Sequence, residues 1–350
     1  WLSSPHMGGT EQNYIKEAFD TNWVAPLGPN VTGFENDLET YISNESHVAA
    51  LSSGTAAIHL GLILLGVQAG DEVICQSFTF SASANPILYL GATPVFIDSE
   101  KDTWNMCPTA LEAAIVDRIA KGKKPKAIIG VHLYGMPFQI DAIQAVATKY
   151  EIPILEDSAE ALGSTYKGQK CGTFGDFGVL SFNGNKIITT SGGGALVTRS
   201  KALKDKAIFF ATQSRDQAPH YQHSEIGYNY RLTNVNAALG VAQMEYLDKI
   251  LQNKKETSIR YENFFKNLEV KFLTEPKNSI ANYWLNVIQL KDRNERETFL
   301  EFTNNNGVMT RPVWRLMNKL EMYKNCRTGD LTNSFWLEDR VVNIPSGFRN

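Results

Sequence analysis

Four short stretches of this chain gather residue types that could do chemistry on a phosphorylated heterocycle. Ser52-Ser53-Gly54-Thr55-Ala56-Ala57 sets small hydroxyl residues and glycine directly before an apolar run with helical spacing. A helix start exposes unpaired N–H groups and the positive end of the dipole, so a phosphate can sit there with Thr55 adding a hydroxyl donor; Ser and Thr at such places also serve as plain N-caps. Ile152-Pro153-Ile154-Leu155-Glu156-Asp157-Ser158-Ala159-Glu160 is a buried-strand pattern that ends abruptly in carboxylates. At the carboxyl edge of a parallel sheet Asp157 would face the ligand crevice, where an aspartate can fix a protonated pyridine nitrogen and keep the ring an electron sink; the alternative is a helix N-cap. Gly178-Val179-Leu180-Ser181-Phe182-Asn183-Gly184-Asn185-Lys186 reads as a strand entering a glycine-containing turn that delivers one lysine, and Ser191-Gly192-Gly193-Gly194 turns the chain back. A lysine that bonds an aldehyde needs a fixed, partly desolvated place where its amine can give up its proton; a surface loop lysine needs none. In Ser77-Phe78-Thr79-Phe80 the ring of Phe80 could stack on a flat heterocycle or simply pack in the core. Together the four suit a phosphorylated pyridine aldehyde. No GxGxxG opens a helix, and the nearest approach to a P-loop, Gly163 to Gly168, is followed by Gln169 where lysine is required.

These side chains need a scaffold, and the sequence from about residue 50 to 200 supplies the pattern of one. Strands are expected at Glu72–Gln76, Pro94–Asp98, Ala127–Leu133, Pro153–Glu156, Gly178–Phe182 and Ala195–Thr198. Helices are expected between them, at Thr55–Leu65, Ala82–Leu90, Leu111–Ala120 and Asp141–Tyr150. This alternation is the signature of an α/β fold with a mainly parallel sheet covered by helices. Leu232–Leu251 reads as a long amphipathic helix leading out of that unit. The helix-like Glu256–Phe265, strand-like Tyr283–Leu290, helix-like Glu295–Asn304 and strand-like Val308–Val313 then predict a smaller α+β domain.

Composition bounds the rest. With 350 residues, 43% hydrophobic and 20% charged, the chain can bury a sizeable core. A formal net charge of -3 gives no basic field for nucleic acid or an anionic membrane. The longest apolar stretch, Ile58 to Val67, is about half of the ~20 residues a membrane span needs. Trp1–Thr10 lacks a basic leader and a long apolar core, which argues against a signal peptide. Cys75, Cys107, Cys171 and Cys326 are scattered with no CxxC, so neither a disulfide framework nor a zinc knuckle is indicated and a reducing, cytoplasmic setting is expected. His220 and His223 stand three apart with no third ligand nearby in sequence, so a solvated or hydrogen-bonding pair is expected and no metal.

Beyond these readings the chain resembles the DegT/DnrJ/EryC1/StrS family of aminotransferases that act on nucleotide sugars. The likeness runs from Ser4-Pro5-His6-Met7-Gly8-Gly9 and Ala25-Pro26-Leu27-Gly28-Pro29 through the four stretches above. It continues in His132-Leu133-Tyr134-Gly135 and Gly227-Tyr228-Asn229-Tyr230-Arg231-Leu232. Within the family, Asp102-Thr103-Trp104-Asn105-Met106 and His220-Tyr221-Gln222-His223 look like the branch that makes UDP-4-amino-4,6-dideoxy-N-acetylglucosamine in bacillosamine and exopolysaccharide pathways. The resemblance implies fold type I of the pyridoxal-phosphate-dependent transferases, aspartate aminotransferase-like, with a seven-stranded sheet in a large domain (residues 1–250) whose N-terminal segment packs at the active site. A small domain (251–350) follows; relatives continue past Ile344-Pro345-Ser346-Gly347 into a closing helix, so the small domain is expected to lack its last helix.

By the same resemblance the cofactor is pyridoxal 5′-phosphate, in its pyridoxamine form for part of the cycle, held covalently by Lys186. Asp157 would pair with the pyridine nitrogen and Phe80 would stack on the ring. Gly54, Thr55 and Ser181 would hold the phosphate, with Asn229 reaching it from the neighbouring subunit of a homodimer. Glu160 would lie near the cofactor's phenolic oxygen or the sugar. His6, Tyr134, Arg231, Arg311 and Trp314 fall on the substrate side. The implied reaction carries an amino group from L-glutamate to the 4-keto carbon of a UDP-linked 6-deoxy sugar. Three rivals stay open: a sugar dehydratase, whose relatives carry His at the position of Lys186, a silent regulatory or scaffold protein, and an amino-acid aminotransferase.

Overall fold

Runs of branched and small apolar residues, buried on both faces, pair into one large sheet because only a sheet covered on both sides can bury every residue of a strand. The computed structural model describes residues 1–43 and 45–349. Its strands in chain order are β1 (His47–Leu51), β2 (Glu72–Gln76), β3 (Thr93–Ile97), β4 (Ala127–Val131), β5 (Ile154–Asp157), the small hairpin β6 (Thr165–Tyr166) and β7 (Gln169–Lys170), β8 (Phe177–Ser181) and β9 (Gly194–Thr198). In space the large sheet runs β1-β9-β8-β5-β4-β2-β3. The strands from β8 to β3 are parallel, and β9 alone runs against its two neighbours. The mainly parallel sheet is as expected, with β1 added to the six strands that sequence patterning marked.

The expected seven strands gain an eighth. Arg327–Thr328, far along the chain, pairs parallel to β3, and the N–H of Gly329 donates to the carbonyl of Phe96 at 3.0 Å. The edge that β3 would otherwise leave open is thereby covered.

Helices α1 (Glu11–Asp20), α2 (Pro29–Ile42) and α3 (Gly54–Leu64) begin the helical layers. α3 is apolar nearly all round and buried through most of its length, as a helix sandwiched against the sheet must be. Gly61 lets it approach closely, since a Cβ there would stand 2.6 Å from a methyl of Leu155. The segments expected as two helices, Leu232–Leu251 and Glu256–Phe265, form one helix of 32 residues, Asn234–Phe265. The intervening Gln252-Asn253-Lys254-Lys255 holds neither glycine nor proline, so nothing breaks the hydrogen-bond ladder. Residue 250 lies inside that helix, and the smaller antiparallel sheet comes after it, in the order Lys271–Phe272, Asn286–Gln289, Val341–Ile344, Arg311–Pro312. No described helix is long and apolar enough to cross a membrane.

The long helix crosses α2 at Gly240, where an added Cβ would lie 2.8 Å from the ring of the fully buried Phe34. Helix propensity would reward replacing this glycine by about 1 kcal/mol, but overpacking against a confined ring costs about 1–3 kcal/mol, and a β-branched substituent adds to the clash. Gly240→Val is therefore expected to lower the urea unfolding midpoint with an unchanged denaturant slope; an unchanged or raised midpoint would contradict this packing.

Candidate active site

The carboxyl ends of β5 and β8 and the N-terminus of α3 open onto one cavity of about 370 Å³. Its wall includes Gly54, Thr55, Phe80, Asp157, Glu160, Ser181 and Lys186, which the chain supplies from four separate segments. Every cofactor-side residue expected from the sequence except Asn229 is thus brought to one place. Ser52, Ser53, Thr79, Ser83 and Asn183 complete the polar part of the lining.

The α3 end of the cavity is built for an anion. Ser53 caps the helix by accepting the N–H of Ala56 at 3.0 Å, which leaves the first N–H groups of the helix free beside the hydroxyl of Ser181. The turn after Lys186 returns as β9 directly beneath: a Cβ on Gly194 would collide with the backbone of Ser53 and Gly54. Glycine is needed there because two backbones touch, and one on Gly54 would press on Ser181 at 3.1 Å.

At the end of β5 three carboxylates fall within five residues, all buried. Glu156 turns away from the cavity. Burial pushes its carboxyl up, but His132 and the N–H groups of Gly172 and Phe174 outweigh that and hold it below the ordinary range. His132 Nδ1 accepts the N–H of Phe138 at 3.1 Å, so Nε2 carries the proton and donates to Glu156 at 2.7 Å. His132, Glu156 and Cys171 could in principle surround a metal, yet both Glu156 oxygens are already filled by His132 and by the N–H groups of Gly172, Phe174 and Gly175. His132 and Glu156 form a buried hydrogen-bonded pair, with Cys171 beside it.

Asp157 faces the cavity. Its Oδ2 accepts the hydroxyl of Ser83 at 2.7 Å, and Ser83 in turn meets Thr79 at 3.0 Å. Neither hydroxyl stands out in the sequence; their i, i+4 spacing, beginning inside the Ser77–Phe80 stretch, is the available signal. Lys186 extends toward Glu160, with Nζ 3.5 Å from Oε1 and its side chain 12% exposed. Burial pushes Glu160 up to about 7, opposed by Lys186 and by the N–H of Tyr134, which donates to Oε2 at 2.7 Å. Tyr134 reaches that position with φ +60°, left-handed for a non-glycine residue, and its ring is fully buried.

The remaining expected residues divide. Trp314 stacks on Tyr134 at 5.7 Å and stands 5.6 Å from the ring of Phe80, which lines the cavity; neither Trp314 nor the fully buried Tyr134 belongs to the wall itself. Arg231 is placed differently from expectation: its guanidinium pairs with the buried Glu35 and also donates to the carbonyl of Ala50 at 3.0 Å, fixing the Asn229 segment to β1. Arg311 turns outward to Asn304 at 2.7 Å, and His6 stacks on Phe348 at 3.6 Å. None of the three lines the cavity. Asn229 is exposed and is not part of its own chain's cavity wall. His223 hydrogen-bonds the carbonyl of Gln213 at 2.7 Å, and all four cysteines are unpaired.

The donor set fits pyridoxal phosphate. A helix start with glycine and hydroxyls matches the phosphate, a hydroxyl-anchored carboxylate matches a pyridinium nitrogen, and a buried amine matches the aldehyde. Phe80, 46% exposed although large and apolar, offers a ring face to the cavity.

Known proteins resemble this chain along most of its length. Residues 5–349 match the model of the DegT/DnrJ/EryC1/StrS aminotransferase family. EpsN of Bacillus subtilis (strain 168), whose name is that of a pyridoxal phosphate-dependent aminotransferase, is 47% identical over 99% of this chain and 90% of its own length. A GDP-perosamine synthase of Escherichia coli O157:H7 is 39% identical over 91% of this chain and 85% of its own. Among solved structures, a DegT DnrJ EryC1 StrS aminotransferase from Brucella abortus superposes with a TM-score of 0.90 at 29% identity, over 96% of this chain and 90% of that one.

Glu160 gives a test with a sign. The folded protein keeps its proton from the ordinary value of 4.5 up to about 7, where the unfolded chain has already lost it. The group's contribution to stability is full below the lower value and is lost as pH rises through the upper one. Glu160→Gln is expected to bring the unfolding midpoints of the cofactor-free protein at about pH 5 and about pH 8 closer together than in the wild type, and an equal spread would show that the carboxyl is ionised throughout.

Proposed function

The chain belongs to the DegT/DnrJ/EryC1/StrS aminotransferase family, and on that footing we propose that it transfers an amino group from L-glutamate to the 4-keto carbon of a nucleotide-linked 6-deoxy sugar. The substrate in this reading is a UDP-2-acetamido-2,6-dideoxy-4-keto-hexose and the product its UDP-4-amino counterpart. The observation that carries it is the meeting of Lys186, Asp157, Phe80 and the α3 N-terminus around one cavity.

When bound, pyridoxal phosphate supplies the carbon that receives the amino group and a ring that takes up the electron pair left by a departing proton. The protein does the rest. The N–H groups at Gly54 and Thr55, with the hydroxyl of Ser181, hold the phosphate end. Asp157, oriented by Ser83, keeps a proton on the pyridine nitrogen, and Phe80 covers one ring face. Nζ of Lys186 would take the proton from the α-carbon of glutamate and, with the sugar bound, would deliver one to the sugar carbon that gains nitrogen. Tyr134 and Trp314 shape the sugar side. Asn229, exposed on the segment that Arg231 pins, serves the phosphate of a neighbouring subunit in a homodimer.

The GDP-perosamine synthase likeness favours a second reading, in which the same chemistry acts on a GDP-linked 4-keto-6-deoxy sugar. Incubating the pyridoxamine form with UDP- and GDP-linked 4-keto sugars, and identifying the amino sugar by mass and NMR, separates the two. Lys186→Ala is expected to turn over none of them while keeping its fold by circular dichroism. Near-normal transamination by that variant would sink the assignment.

A further inference from the structure

The amine of Lys186 is held from two sides. One is the carboxyl of Glu160 at 3.5 Å; the other is the indole of Trp284, whose ring centroid lies 4.0 Å from Nζ. Trp284 comes from the C-terminal part of the chain and is 2% exposed. Its Nε1–H donates to the carbonyl of Asn185 at 2.7 Å, the residue directly before the lysine. One side chain therefore clamps the backbone of the lysine turn and offers a ring face to the amine at its tip.

Trp284 itself is tightly placed. Its N–H donates to Asn282 Oδ1 at 2.9 Å, its carbonyl accepts from the buried Lys254 at 3.1 Å, and its ring stacks on Trp314 at 6.3 Å. Asn282 in turn donates to the carbonyls of Glu160 and Leu162 at 2.8 and 2.9 Å. The segment that carries the indole is thus stitched to the loop that carries the carboxyl, so the two sides of the seat are fixed relative to each other. An ammonium over an indole face is an attractive pair, stronger where water is excluded.

We propose that Trp284 is a positioning residue for the reaction: its indole face, opposite Glu160, is the seat that the ε-amine of Lys186 takes whenever it is not bonded to cofactor, and its N–H fixes the turn that aims that amine. This rests on Lys186 being the cofactor lysine. Without the seat the released amine would sample rotamers away from the reacting carbon, and the proton transfers it performs would slow while substrate binding stayed as it was.

Two variants separate the functions of the side chain: W284F keeps a ring and loses the N–H, and W284L loses both. In cofactor-free protein, pulse-labelling with acetic anhydride followed by peptide mass spectrometry should show Lys186 acylated several-fold faster in W284L than in the wild type, with W284F in between. In the reconstituted enzyme, kcat should fall about tenfold or more in W284L and less in W284F, with KM for the keto sugar within about twofold. Equal labelling rates in the wild type and both variants overturn the proposal, as does a raised KM with kcat unchanged. If W284L does not fold, W284F alone decides by the same two readouts. Borohydride reduction and peptide mapping of the wild-type holoenzyme test the premise separately: cofactor fixed to any residue other than Lys186 removes the reading of the site, whatever the tryptophan does.

Discussion

Three carboxylates within five residues at the end of one buried strand set the terms for everything around them. An ionised carboxyl taken from water into the protein interior is very costly unless donors meet it, so Glu156, Asp157 and Glu160 each require their own company. Glu156 receives His132 and backbone N–H groups, Asp157 receives Ser83, and Glu160 receives Tyr134 and the amine of Lys186. Much of the irregular backbone near the site exists to deliver these donors: the left-handed Tyr134 and the turn at Gly172 each put an N–H where a carboxylate needs one. Glu156 is held below the ordinary carboxyl range and Glu160 is pushed above it because their partners differ, although the sequence writes them only four positions apart.

The division of labour between regular elements and loops follows from this. The strands and α3 supply fixed ends, and a phosphate site can be made from backbone alone because β9 and the start of α3 touch at Gly194 and Gly54. Side chains that must discriminate or move protons sit on the turns beyond those ends. The C-terminal part of the chain adds a second constraint, through Asn282, Trp284 and Trp314, which lock onto the Glu160 loop and onto the ring of Tyr134. The site is therefore closed by segments that lie more than a hundred positions apart. Asn282 and Glu160, joined by a direct hydrogen bond, are separated by 122 residues.

The cofactor half of the site was legible because its chemistry is local. A helix start, a strand end and a turn each announce themselves within a few residues, and Gly54, Thr55, Phe80, Asp157, Ser181 and Lys186 converge as the alternating pattern requires. The substrate half has no such local mark. Arg231 stands in the same stretch as Asn229 and carries a charge suited to an anionic ligand, but the buried Glu35, 196 positions earlier, claims it. No local signal reveals that an arginine is already paired. The continuous helix Asn234–Phe265 reads as two for a related reason: its buried stripe runs on through the polar Lys254, Thr257 and Ser258, which hydrophobic periodicity does not register.

By itself the amino-acid sequence determined the alternating scaffold, the order of its strands along the chain, and the residue types that meet a phosphate, a pyridine nitrogen and an aldehyde, since each rests on short-range periodicity or on chemistry that few residue types can supply. Only the tertiary structure decided which charges are spent on one another: Arg231 on Glu35, His132 on Glu156, and Lys186 between Glu160 and Trp284. The physical reason is that a buried charge takes whatever partner the fold brings within about 3–4 Å, and that distance is unrelated to separation along the chain.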